Sequence, residues 1–151
     1  MSLYAYQGEN IRNILKAKIE NILESDTDQD MINRLVPLIN LLKAISSTRE
    51  GEERKDLNIL YVTVSSIYSF YYSYMTALNR RMSQSVQNEE NFKLFNEPRK
   101  KFLNAINKVA KNFLTSLKEV ISTAGSKDRA NKLFENTYDS LVEDVLNKYT
   151  M

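Results

Sequence analysis

The sequence predicts an all-α fold, a bundle of four to five helices with one long central helix. Three observations predict it. Only three glycines and two prolines punctuate 151 residues, so long helices are favoured. Apolar residues recur at steps of three and four along most of the chain, the period of one helical face. Strand-like alternation fails where composition most invites it. The stretch from Leu60 to Met75 is rich in β-branched and aromatic residues, but alternation breaks at Ser65-Ser66 and again across Phe70-Tyr71-Tyr72.

The first helix is predicted over about Glu9 to Glu24, with Ile11, Ile14, Leu15, Ile19, Ile22 and Leu23 inward. Ser25-Asp26-Thr27-Asp28 offers N-cap side chains for a second helix, about Gln29 to Ser46. Met31, Leu35, Leu38, Ile39, Leu42 and Ile45 should face the core, and Pro37 should kink or restart the helix, since it has no backbone N–H to donate. After a polar loop from Ser47 to Gly51, the longest helix runs from about Glu53 to Gln87, roughly 50 Å at 1.5 Å per residue. Leu57, Leu60, Tyr61, Val64, Ile67, Tyr68, Tyr71, Tyr74, Met75 and Leu78 form its inward stripe. Ser66, Ser69, Ser73 and Ala77 form a small-residue line that would let another helix approach closely.

A polar break is expected from Ser83 to Asn91, then a short apolar segment at Phe92 and Phe95. Asn96 is a candidate cap for the fourth helix, about Glu97 to Ala124, with Pro98 in its first turn and Gly125 as its stop. Phe102, Ile106, Val109, Phe113, Leu117, Val120 and Ile121 should point inward. Ser126 is placed to cap a fifth helix reaching about Tyr149, whose inward residues are Ala130, Leu133, Phe134, Tyr138, Leu141, Val142, Val145 and Leu146. Glu135, Asp139 and Glu143, at intervals of four, mark its outer face.

Length and an ordinary apolar content of 42% fit a single helical domain over residues 1–151. No apolar run approaches the roughly 20 residues that span a bilayer, and the N-terminus lacks the basic-then-apolar pattern of a secretory signal. With zero cysteines there is no disulfide framework, and the reading is an intracellular, cytoplasmic protein. Zero histidines remove histidine-based triads, zinc and haem histidines and the Glu-x-x-His pairs of di-iron bundles. Gly8, Gly51 and Gly125 are too far apart for a phosphate loop. The acids cluster at predicted helix starts (Asp26, Asp28, Asp30; Glu52, Glu53, Asp56), in a loop (Glu89, Glu90) or on a solvent face, where helix-dipole and solvation arguments explain them. The expectation is therefore a protein that is not an enzyme and takes no cofactor or metal.

The net charge of +2 hides an asymmetry. Between Pro98 and Ala124 lie six basic residues (Arg99, Lys100, Lys101, Lys108, Lys111 and Lys118) and one acid, Glu119, a local charge of +5; the remainder has 15 basic and 18 acidic residues, or −3. At about 100° per residue, Lys101, Lys108, Lys111 and Lys118 share an arc of about 100° opposite the apolar stripe. Arg99 and Lys100 add charge at what reads as the N-terminal end, where cations oppose the helix macrodipole and so do not serve the helix. Arg80-Arg81 could extend the patch or satisfy the carbonyls ending the long helix. Such a face suits a phosphate backbone, contacted without sequence preference. Plain solvation and an acidic protein neighbour are the competing readings. The tyrosines at 61, 68, 71, 72 and 74 read mainly as core, with Tyr72 furthest off the inward face.

Size, helical pattern and the basic face carried by Arg99, Lys100, Lys101, Lys108, Lys111 and Lys118 resemble the small helical subunit of type III CRISPR effector complexes. That resemblance implies a non-catalytic subunit that stacks with other protein subunits along the backbone of a guide-target duplex, in antiviral defence. A second resemblance is to the helical domain of GINS-type replication subunits, through Glu89-Glu90-Asn91-Phe92-Lys93-Leu94-Phe95-Asn96 followed by Arg99-Lys100-Lys101; the small β domain usual in that family is missing. Expected partners are thus other subunits, nucleic acid (RNA or DNA) or further copies of the chain, with no membrane. The alternative is a protein-only helical scaffold, adaptor or viral structural protein.

Overall fold

The computed structural model describes residues 8–84, 89–122 and 129–149. The elements in order are α1 (Gly8–Leu23), α2 (Asp28–Asn33), α3 (Leu35–Ser46), α4 (Gly51–Gln84), α5 (Glu89–Ser122), α6 (Arg129–Ser140) and a π-helical turn, Leu141–Leu146, continuing α6. Among the described residues there is no strand, so the all-α reading is correct.

α1 buries Ile11, Leu15, Ile19 and Ile22. Ile14, expected inward, is 49% exposed; it sits about 100° around the helix from Leu15, beyond the stripe that α3 and α5 cover. Thr27 caps α2, its hydroxyl accepting from the Asp30 N–H at 3.0 Å. The predicted second helix then divides at Arg34, three residues before Pro37. That puts the proline in the first turn of α3, where its missing N–H leaves nothing unpaired. Arg34 braces the division. Its guanidinium donates to the Asn21 carbonyl at 2.7 Å, in the last turn of α1, and pairs with Asp30 at 2.9 Å. Ile32, which the periodicity left out, is fully buried at this junction.

α4 starts at Gly51, whose φ of +64° lies in the left-handed region and is easy only for glycine. Just outside and inside this start, Arg49 and Glu53 form an ion pair at 3.2 Å. The expected inward stripe of α4 is buried or half-buried throughout. The expected small-residue line is not covered by another helix: Ser69 and Ser73 remain exposed.

The largest departure from expectation concerns α5. It begins at Glu89, not near Glu97, and its 34 residues equal the length of α4. The bundle therefore has two long helices, each about 50 Å. Asn96 is no cap, and Pro98 lies inside the helix. The sequence signal was ambiguous because a proline also marks helix starts. Phe95 continues the Phe102–Ile106 stripe one period earlier, and this apolar phase carries the helix through the proline. The carbonyl that Pro98 cannot serve belongs to Leu94, and both residues are exposed, so water can take the vacancy. The predicted stop at Gly125, the cap at Ser126 and the ends of the predicted helices at Gln87 and Ala124 lie outside the described residues.

α6 buries Ala130 and Leu133 as expected and runs to Ser140. Beyond it, Asn147 donates to the Val142 carbonyl at 2.9 Å, a wide π-type turn. Leu146, expected inward, is 43% exposed: at about 100° per residue it lies some 140° around the helix from the buried Leu141. Tyr138, also expected inward, is 50% exposed and stacks on Phe134 instead. Buried residues from every helix form one apolar cluster, in which Phe102 and Phe113 are the largest fully buried side chains.

Candidate functional site

The outward side of α5 carries Lys100, Lys101, Lys108 and Lys111, all exposed. No acid occurs from Pro98 to Lys118, and none of these four lysines has an ion pair among the described residues. Their positions follow from the apolar stripe. Phe102, Ile106, Val109, Phe113 and Leu117 are pulled into the core, so residues roughly half a turn away must face water. Glu97 and Glu119 close the row at its two ends.

Two members of the expected patch are placed elsewhere. Arg99 lies on the inward side of α5, half-buried, with its Nε buried and lacking a hydrogen-bond partner among the described residues. It stands close enough to Tyr71 to favour the phenolate, though burial of that ring prevails and the Tyr71 pKa is raised. Lys118 reaches α1: its Nζ lies 2.9 Å from Glu20 Oε1, so this lysine helps hold α1 on α5. Because α5 begins at Glu89, Arg99 to Lys101 sit about three turns inside it. The dipole argument, which acts only over the first turn, does not apply to them. Arg80 and Arg81 are exposed near the end of α4. Arg81 acts on the titration of Tyr74, which is nevertheless raised, first by burial and then by the neighbouring Tyr149.

Tyr72 is exposed, as its phase implied, and stacks on Tyr68 with ring centroids 6.2 Å apart. At the start of α4, Glu53 and Asp56 are buried and Glu52 is exposed. The pKa of Asp56 is raised, chiefly by burial, then by Glu52 and Glu53. No group of acids among the described residues is arranged to hold a metal ion.

Sequence reasoning missed one cavity. The small-residue side of α4 (Ser69, Ser73, Ala77) and the π-helical turn (Val145, Leu146) wall an open cleft of about 460 Å³. Its floor is an aromatic trio: Tyr74 stacks on Phe102 at 3.9 Å, and Tyr149 meets both edge-on. The small-residue line was visible in the sequence. The π-helical turn that lines the same cleft was not.

Comparison with known proteins finds no matching family, no matching curated protein and no matching solved structure. No helix among the described residues is long and apolar enough to cross a membrane.

Proposed function

We propose that this protein is a non-catalytic helical subunit of a larger assembly, and that the outward face of α5 contacts a nucleic-acid backbone without sequence preference. One observation carries the reading: Lys100, Lys101, Lys108 and Lys111 are exposed in one row, free of acids and of ion pairs among the described residues. A row of amines with no internal counter-charge gains most from a polyanion, because each neutralised phosphate releases a condensed counterion. Lysine's single-point charge suits phosphate contact rather than base readout. Arg80 and Arg81 are candidates to widen the footprint. The lack of histidine and cysteine in the chain supports the non-catalytic half of the reading. The resemblance to the small subunit of type III CRISPR complexes points the same way, and with it to a cytoplasmic role in antiviral defence.

The test is binding of single-stranded RNA and of duplex DNA across a salt series. Four lysines predict a fall in log affinity against log salt with a slope of about three to four for a duplex. The triple change Lys101→Glu, Lys108→Glu, Lys111→Glu should abolish binding. Lys118→Ala should leave it within about twofold, because that amine is engaged with Glu20. Absence of binding at low salt, or full binding by the triple variant, rejects the proposal.

A further inference from the structure

We propose that the acidic outer face of α6 and its π-helical extension docks on the lysine face of a second copy of this chain, and that this contact competes with the polyanion for the same lysines. The competition rests on the function proposed above; the self-contact does not.

Two neighbouring elements carry opposite single-sign faces. α6 packs directly on α5. From Leu133 to Asn147 there is no basic residue, while Glu135, Asp139, Glu143 and Asp144 are all exposed. None of these four has an ion pair among the described residues. Lys132, one turn before Glu135, and Lys148, one turn after Asp144, bracket the acids, and both are exposed. The row of Glu135, Asp139 and Glu143 is about 12 Å long, and that from Lys101 to Lys111 about 15 Å, at 1.5 Å per residue. Within one chain the two rows point outward from adjacent helices and do not meet. Between two chains they are opposite in sign and similar in length, with no opposing charge inside either row.

Tyr138 marks the acidic face independently. Helical phase predicts it inward, yet it is half exposed, standing on Phe134 beside the acids. An exposed ring flanking carboxylates offers lysine stems an apolar surface and their ammonium groups a π-face, which is the usual make-up of an interface anchor. An acidic protein of another kind would need this arrangement by coincidence; a second copy carries it already.

The experiment measures sedimentation of the full chain at salt from 0.01 M to 1 M, over which the screening length drops from about 30 Å to about 3 Å. Association at low salt that is lost at high salt is expected. Glu135→Lys, Asp139→Lys, Glu143→Lys in one variant should abolish it. So should Lys101→Glu, Lys108→Glu, Lys111→Glu in another. An equimolar mixture of the two should associate again. The milder set Glu135→Gln, Asp139→Asn, Glu143→Gln should weaken association at least tenfold, covering a reversed variant that fails to fold. A wild-type monomer at every salt, unchanged association of the acid-face variants, or a mixture that stays monomeric overturns the self-contact. Adding single-stranded RNA of about 20 nucleotides to the wild-type oligomer should release RNA-bound monomers. RNA that binds the intact oligomer overturns the competition. RNA that binds no variant rejects the function proposed above, and the competition with it, but leaves the self-contact standing.

Discussion

Gly51 is the residue whose backbone decides where the longest helix of the first half begins. Its φ of +64° costs a residue with a side chain about 1–2 kcal/mol. A Cβ added there meets nothing within 4 Å, so the penalty is conformational rather than steric. Gly51→Ala should therefore lower unfolding free energy by about 1 kcal/mol, measured by urea denaturation, without disturbing the core. Asp56 carries the opposite kind of tension. Burial and the nearby Glu52 and Glu53 raise its pKa above 3.8, so the folded chain binds a proton there more tightly than the unfolded chain. Its charged form destabilises the fold in full above the folded pKa, and acidification toward 3.8 relieves that. Asp56→Asn should be more stable than wild type at pH 7, with the gap closing as pH approaches 4. A variant that is less stable at pH 7, or a gap that widens on acidification, contradicts this account.

At the level of helices, expectation and structure diverge at the breaks. Apolar phase predicted the inward stripes of α4 and α5 almost residue by residue, because any side chain in those positions is carried to the core by the helix itself. Breaks were harder to place. Pro37 does restart a helix, with the division three residues upstream, whereas Pro98 starts nothing. The two prolines look alike locally; what differs is whether apolar residues on the N-terminal side stay in phase with those beyond. Pro98→Ala tests this directly. If the proline sits within α5, restoring the N–H and removing the ring clash should stabilise the protein by about 1–3 kcal/mol and raise helical ellipticity. A proline in a first turn would instead give no gain, or a small loss from the freer unfolded chain. The π-helical turn had no signal in the periodicity, since Leu141 and Val145 satisfy either reading.

Across the whole molecule, charge and shape part company. The basic row of α5 was legible because it lies on one helix, and one helix's angular phase is a property of its sequence. That Lys100, Lys101, Lys108 and Lys111 have no acid among them could be read off the same segment. Arg99 is set by its phase on the side of Phe102 and Ile106 rather than on that of the lysines, although it adjoins them along the chain. Lys118 could not be assigned in this way. Its partner, Glu20, is nearly a hundred positions earlier and meets it only because α1 packs on α5. The aromatic cleft has the same origin. Tyr74 comes from α4, Phe102 from α5 and Tyr149 from the segment after the π-helical turn, and the contact among them exists only after these pack.

The amino-acid order by itself thus determined the helical class, most of the inward stripe of each helix and the cationic side of α5, because these depend on spacing over a few turns. Tertiary packing alone decided which of those cations stay open to solvent, which pair with a distant acid, and which apolar side chains are left in water. Such outcomes depend on how separate helices are set against one another, and no interval within a single helix encodes that.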